Sequence, residues 1–181
     1  MQGNGGKILI IAILAAAGFG AYKYFSKNVG SKSDDELFVI ISSGGMTATA
    51  AQAELTHRAG SGKTPPTTFR AKLKDGNKDV RVAACKGLKA CKDKASVPAL
   101  LETLKDDTYE VRSAACEAFE DIRVKEAVPP LLKLLDDPKE GVRVAASSAL
   151  RSITKQAYSN KEADKWKNWW ADNGKSFEVQ E

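Results

Sequence analysis

The sequence predicts an all-α protein, an α-solenoid of stacked helical hairpins preceded by one apolar N-terminal segment. Three observations carry that prediction. The chain repeats itself at an offset of 31 residues, the repeated segments space their apolar residues as helices do, and prolines, glycines and aspartates separate them at fixed places. A chain of 181 residues is long enough for a packed core with an appendage.

The appendage comes first, over residues 1–33. Residues 8–22 carry no charge, and the run reaches Phe25 if Lys23 extends its ammonium to an interface. As a helix, residues 8–25 would span about 27 Å, against a hydrocarbon core of roughly 30 Å. One expectation is a single-pass membrane anchor with Tyr22, Tyr24 and Phe25 as interfacial aromatics. Another is a signal peptide, with Lys7 as its basic end, residues 8–14 as its apolar stretch and Ala15-Ala16-Ala17 as its cleavage site. A buried soluble helix is the third, and it needs apolar surroundings on every side. The anchor is favoured because the apolar run continues past the alanines. Ala16 and Gly20 form a small-x-x-x-small pair of the kind that lets membrane helices pack closely. Lys23, Lys27 and Lys32 outweigh Lys7, which for an anchor places the rest of the chain on the cytoplasmic side; an export signal places it in the periplasm or outside. The three cysteines are an odd number without a disulfide-like arrangement, which agrees with the cytoplasmic side.

Residues 34–60 read as a degenerate first hairpin. Leu37, Ile40 and Ile41 are expected on its first helix, and Thr49, Ala50, Ala51 and Leu55 on its second. The stretch that follows contains GSGKT, the tail of a nucleotide-binding phosphate loop. Such a loop needs a glycine five residues before Gly62, and that position holds His57. No β-branched run precedes it, and Pro65-Pro66 prevents a helix from continuing out of Thr64. The stretch is therefore expected to be a connector, and His57 a surface residue.

Residues 61–156 hold three clear units, at about 67–91, 98–122 and 129–153. DVRVAACKGL at 79–88 recurs as EVRSAACEAF at 110–119 and as GVRVAASSAL at 141–150. VPALLETLKDD at 97–107 recurs as VPPLLKLLDDP at 128–138, with TFRAKLKDG at 68–76 as an earlier partial copy. Each unit predicts two helices. The first opens at Pro98 or Pro129, where a missing N–H has no intrahelical partner to lose, and its leucines follow at helical spacing. The second presents Val80, Ala83, Ala84 and Leu88, echoed by Val111, Ala114, Ala115 and Phe119 and by Val142, Ala145, Ala146 and Leu150. One hairpin cannot bury both apolar faces alone, so neighbours must stack. Residues 157–181 then form a tryptophan-bearing cap, with Trp166, Trp169 and Trp170 sealing the last layer where another first helix is due.

The V-R-x-A-A and V-P-x-L-L-x-x-L-x-D segments resemble the HEAT-repeat family, in particular its short bacterial-type units related to those of phycobilin lyases. The resemblance covers residues 67–156 and implies a right-handed superhelix. It also implies that the recurring arginines, Arg81, Arg112 and Arg143, form a ladder with turn acids of adjacent units. Asp75, Asp106, Asp107, Asp136 and Asp137 are the candidates, and the competing role for the arginines is a basic stripe for a partner's carboxylates. In such arrays the second helices line the concave, partner-binding face.

Function is expected to follow from that face. Off the core stripe it carries Lys86 and Lys89, then Glu117 and Glu120, then Ser148 and Arg151. A mixed-sign ladder suits a protein partner of complementary charge, whereas a nucleic-acid groove would be basic throughout. The net charge of +5 does not argue otherwise. Four of the 28 basic residues precede Asp34, leaving 24 against 23 acidic residues from position 33 onward. Cys85 and Cys116 are one period apart with Ser147 at the third equivalent position, and Cys91 aligns with Ile122 and Ile153, so the thiols read as packing rather than metal ligands. The expectation is thus a non-catalytic membrane-tethered scaffold or accessory subunit without cofactor, nucleic acid or small-molecule substrate. The rivals are an exported repeat protein and a phycobilin-lyase-like enzyme.

Overall fold

Each first helix of the repeats is seven residues long, too short to persist alone in water, so tertiary packing must hold it. The computed structural model describes residues 28–179. The apolar segment 8–25 lies outside the described residues. Among the described residues no helix is long and apolar enough to cross a membrane, and no strand is present.

The chain divides into two units at Leu55/Thr56. In the first, α1 (Asp34–Ser43) starts at a capping box. The Ser33 hydroxyl accepts from the Glu36 N–H at 3.3 Å, and the Ser33 N–H donates to the Glu36 carboxylate at 2.8 Å. In α1, Leu37, Phe38 and Ile41 are buried while Ile40 is only half-buried. Gly44 and Gly45, both at positive φ, separate α1 from α2 (Gly45–Gly60), which crosses the unit boundary. On α2, Ala50, Ala51 and Leu55 are buried and Thr49 is exposed.

The second unit contains the repeats as three helix pairs: α3 (Pro66–Lys72) with α4 (Lys78–Cys91), α5 (Val97–Thr103) with α6 (Tyr109–Ile122), and α7 (Val128–Leu134) with α8 (Glu140–Thr154). The long second helices form one layer, with α6 packed between α4 and α8. Their buried faces carry Ala83–Ala84, Ala114–Ala115 and Ala145–Ala146, whose small side chains permit that approach. Leu100, Leu104, Leu131 and Leu135 are buried from the first helices, with Phe69 and Leu73 in the equivalent places of the first repeat. Phe69 is bulkier than its leucine counterparts, and Gly87 makes room for it. A Cβ on Gly87 would lie 2.3 Å from the Phe69 ring, whereas the equivalent positions hold Ala118 and Ala149.

Helix exits also repeat, with one departure. Lys92 and Arg123, 31 residues apart, end α4 and α6 in the left-handed conformation, which costs a residue with a Cβ roughly 1 kcal/mol. The third such residue is Lys155, one position later than the period requires, because α8 runs on through the buried Thr154. The period is lost from there. Residues 155–160 carry no regular structure before α9 (Ala163–Asn173) begins. Lys167, in the first half of α9, pairs with Asp136 just after α7, while Lys175, beyond α9, offers its carbonyl to Lys125 just before α7. α9 therefore runs antiparallel to α7. A further first helix would run parallel to it, so this element closes the array rather than starting another unit.

Candidate protein-interaction face

The two long edges of the repeat stack carry different chemistry. On the turn edge each Asp of the series Asp75, Asp106 and Asp137 accepts the N–H two residues ahead, from Asn77, Thr108 and Lys139, at 2.9, 2.9 and 2.8 Å. This local bond closes the turn that launches each second helix. Two of these carboxylates also receive an arginine from the preceding repeat. Arg81 Nε donates to Asp106 Oδ2 at 2.8 Å and Nη2 to Oδ1 at 2.9 Å. Arg112 makes the same fork onto Asp137 at 2.8 and 3.1 Å. The third nitrogen binds backward, Arg81 Nη1 to the Asp75 carbonyl at 2.9 Å and Arg112 Nη1 to the Asp106 carbonyl at 2.8 Å. Each guanidinium thus ties two consecutive turns together. Asp107 contributes its backbone carbonyl to Arg112, and Asp136 takes Lys167, so neither is a rung.

The ion pairs at these rungs are well shielded, with Asp137 only 4 % exposed and Asp106 14 %. Burial pushes both carboxyls upward, but the forked arginines and the turn N–H bonds outweigh it and hold both below the usual aspartate value. The Asp106 fork in turn holds the Arg81 guanidinium more firmly protonated. Arg81 and Arg112 are structural in this arrangement. Arg143 reaches back to the Asp137 carbonyl at 2.7 Å like the others, but meets no side-chain carboxylate among the described residues.

In the connector 59–68 the amides of GSGKT are engaged within the chain. The N–H groups of Ser61, Gly62, Lys63 and Thr64 all donate to carbonyls at the end of α2, at 2.9–3.3 Å. A phosphate cradle needs those donors free. The next helix also opens on Pro65-Pro66, and Pro66 has no N–H to offer.

The second-helix face holds the residues expected to meet a partner. Lys86, Glu117 and Ser148, one period apart along α4, α6 and α8, are half-buried, and Arg151, equivalent to Lys89 and Glu120, is exposed. Lys89 and Glu120 are joined instead to each other, Nζ to Oε2 at 2.6 Å, across neighbouring repeats. Desolvation works against the charged form of Lys89, and its bond to Glu120 more than compensates. Lys86 and Glu117 form no ion pair with each other, and Arg151 makes only long contacts, to the Tyr158 carbonyl at 3.5 Å and Ser148 Oγ at 3.3 Å. Sequence reasoning missed two valines on the same helices. Val82, Ser113 and Val144 are equivalent, and Val144 is 46 % exposed. The signal was available in the spacing, since positions 82, 86 and 89 fall on one helical strip. Tyr109, 43 % exposed, was also missed; the Lys139 ammonium stands 5.4 Å over its ring.

A cleft of about 620 Å³ opens between α3 and α5, with the rung residues Arg81 and Asp106 in its lining. Ala71 and Ala99 leave it open, and charges of both signs line it, Arg70 and Lys74 against Glu102 and Asp107. The thiols lie elsewhere. Cys85 and Cys116 are fully buried, and burial drives Cys85 up to about 12 and Cys116 higher still. Neither is a thiolate at neutral pH. Half-buried Cys91 is also raised, chiefly by desolvation. Among the described residues no three metal-ligating side chains converge.

The three tryptophans have separate roles. Trp166 is fully buried, edge-on to Tyr158 at 5.2 Å, with its indole N–H on the Ser159 carbonyl at 3.2 Å. Trp169 and Trp170 are half-buried and gather around Phe177 at 5.6 and 5.8 Å.

This inter-repeat geometry agrees with the comparison to known families, in which the family described as HEAT repeats matches residues 66–159, more than half of the chain. The chain belongs to the HEAT-repeat family. No curated protein matches it. HEAT repeats in general serve as protein-interaction scaffolds, and in this HEAT protein the match ends at Ser159, just before α9 departs from the repeat pattern.

Proposed function

We propose that this HEAT protein is a non-catalytic scaffold or accessory subunit, held at a membrane by residues 8–25, that binds a protein partner through its second-helix face. The observation that carries the reading is the difference between engaged and available charges on α4, α6 and α8. Lys89 and Glu120 hold the repeats to each other, which leaves Lys86, Glu117 and Arg151 beside the apolar Val82 and Val144 to contact a partner. Exposed Val144 and half-buried Val82, flanked by charges of both signs, suit a protein interface.

Recovery of cross-linked partners from detergent-solubilised membranes tests this. Glu117→Lys reverses one available charge, breaks no ion pair among the described residues, and should lower partner recovery on the order of tenfold. Unchanged recovery would remove the second-helix face from the proposal. Fractionation with N-terminal sequencing of the mature protein tests the tether: a membrane-bound chain that retains residues 8–25 supports it, and a soluble chain that begins after Ala17 overturns it.

A further inference from the structure

The arginine ladder has an open end. Arg81, Arg112 and Arg143 share one sequence context, Val-Arg-x-Ala-Ala or its close variant, and one pose. In all three, Nη1 is anchored on the two carbonyls of the preceding turn, at 2.9 and 3.3 Å, 2.8 and 3.1 Å, and 2.7 and 3.2 Å. That anchor orients the guanidinium plane. In Arg81 and Arg112 the remaining edge, Nε with Nη2, takes a carboxylate bidentately from the next repeat. In Arg143 the same edge has no acceptor among the described residues, because α9 runs antiparallel to α7 and brings Lys167, not an acidic turn, to that end of the stack. Position 168, one period after Asp137, holds Asn168, and it lies within α9 rather than in a turn.

We infer that Arg143 is a preformed carboxylate-binding site for an acidic side chain of a protein partner. The inference rests on the scaffold reading above and adds the chemistry of one contact. Several features favour a carboxylate over another anion. The fork geometry matches it, and the molecule itself closes two equivalent forks with aspartate at 2.8–3.1 Å. The guanidinium is already fixed through Nη1, so a partner gains two charge-assisted bonds with little further ordering of the side chain. An aspartate or glutamate side chain is therefore the feature expected of the partner.

The test follows the Arg Nε–Hε resonances of the full-length protein in detergent by NMR during titration with a blocked peptide of the sequence of residues 134–139. The expected result is a saturable shift of the Arg143 resonance while those of Arg81 and Arg112 stay in place. The same peptide with the residue matching Asp137 changed to asparagine should bind on the order of tenfold more weakly, and so should the Arg143→Lys protein, which keeps the charge but not the fork. No shift at Arg143, equal binding of the asparagine peptide, or a larger response to inorganic phosphate than to the peptide would overturn the proposal. Thermal melts show whether Arg143→Lys is folded. If it is not, the asparagine peptide on the unaltered protein still decides. The scaffold reading is separated by partner recovery: loss with Glu117→Lys but not with Arg143→Lys retains the face and removes the rung.

Discussion

The turn edge and the second-helix face are both charged ladders with the period of the repeat, yet they do different work. On the turn edge the cation is a guanidinium that binds a shielded aspartate and the carbonyls behind it at once. On the helix face the cation is a lysine with one bond, its side chain 29 % exposed and its partner's 26 %. Arginine's planar fork can close two turns simultaneously; an ammonium on a flexible stem, still reached by water, cannot. Shielding turns one ladder into structure and leaves most of the other available for recognition.

Breaking the shielded ladder should have the largest effect. Arg112→Ala leaves Asp137 almost buried without its counter-ion, a loss of about 3 kcal/mol, and should lower the melting temperature by roughly 9 °C. Arg81→Ala should cost about 2 kcal/mol, since Asp106 is nearer to water. Arg143→Ala, which opens no ion pair but loses two bonds to the turn carbonyls, should cost about 1 kcal/mol. Three equal losses in calorimetry would mean that the rungs are equivalent, and the comparison would fail.

Acid titration probes the same edge. Asp106 and Asp137 have folded-state values below their unfolded ones, so their contribution is complete above the unfolded value and disappears as pH falls through the folded value. Melting temperature should be flat with respect to these groups near neutrality and decline below about pH 4. The Asp106→Asn/Asp137→Asn protein should be less stable at pH 7 and lose less on acidification. Parallel curves for the two proteins would show that other carboxylates dominate acid unfolding.

The smallest effect belongs to the helix face. Lys89→Ala should cost less than about 1 kcal/mol, and 0.5 M salt should reduce the difference from the unaltered protein. A loss as large as that of Arg112→Ala would mean that both ladders are structural and would sharpen attention on Lys86, Glu117 and Arg151 alone.

The repeat, its helix pairs and the alanine-lined seam were legible from residue spacing, because burying a shared apolar face imposes a period on the chain. The pairing of Arg81 and Arg112 with turn acids was legible as well, through family resemblance, and the structure selects Asp106 and Asp137 from the five candidates. Phe38 was missed as a core residue because packing, and not apolarity alone, chooses the face of α1 that is buried. The cap was only half legible. Trp166 was recognisable as a plug, but the direction of α9 depends on an extra residue of α8 and on an irregular crossing that follows no period.

Alone, the order of residues determined that this protein is a stack of α-hairpins whose connector lacks a phosphate loop, since periodicity, proline placement and a missing glycine are local properties. Tertiary structure decided which charges are engaged. Lys89 and Lys86 stand on the same helix strip, and Arg112 and Arg143 share the same motif, yet one of each pair has a carboxylate and the other does not. The physical reason is that an ion pair needs two side chains brought within about 3 Å with water largely removed. Only the offset between neighbouring repeats, and the point where stacking stops, settle that distance.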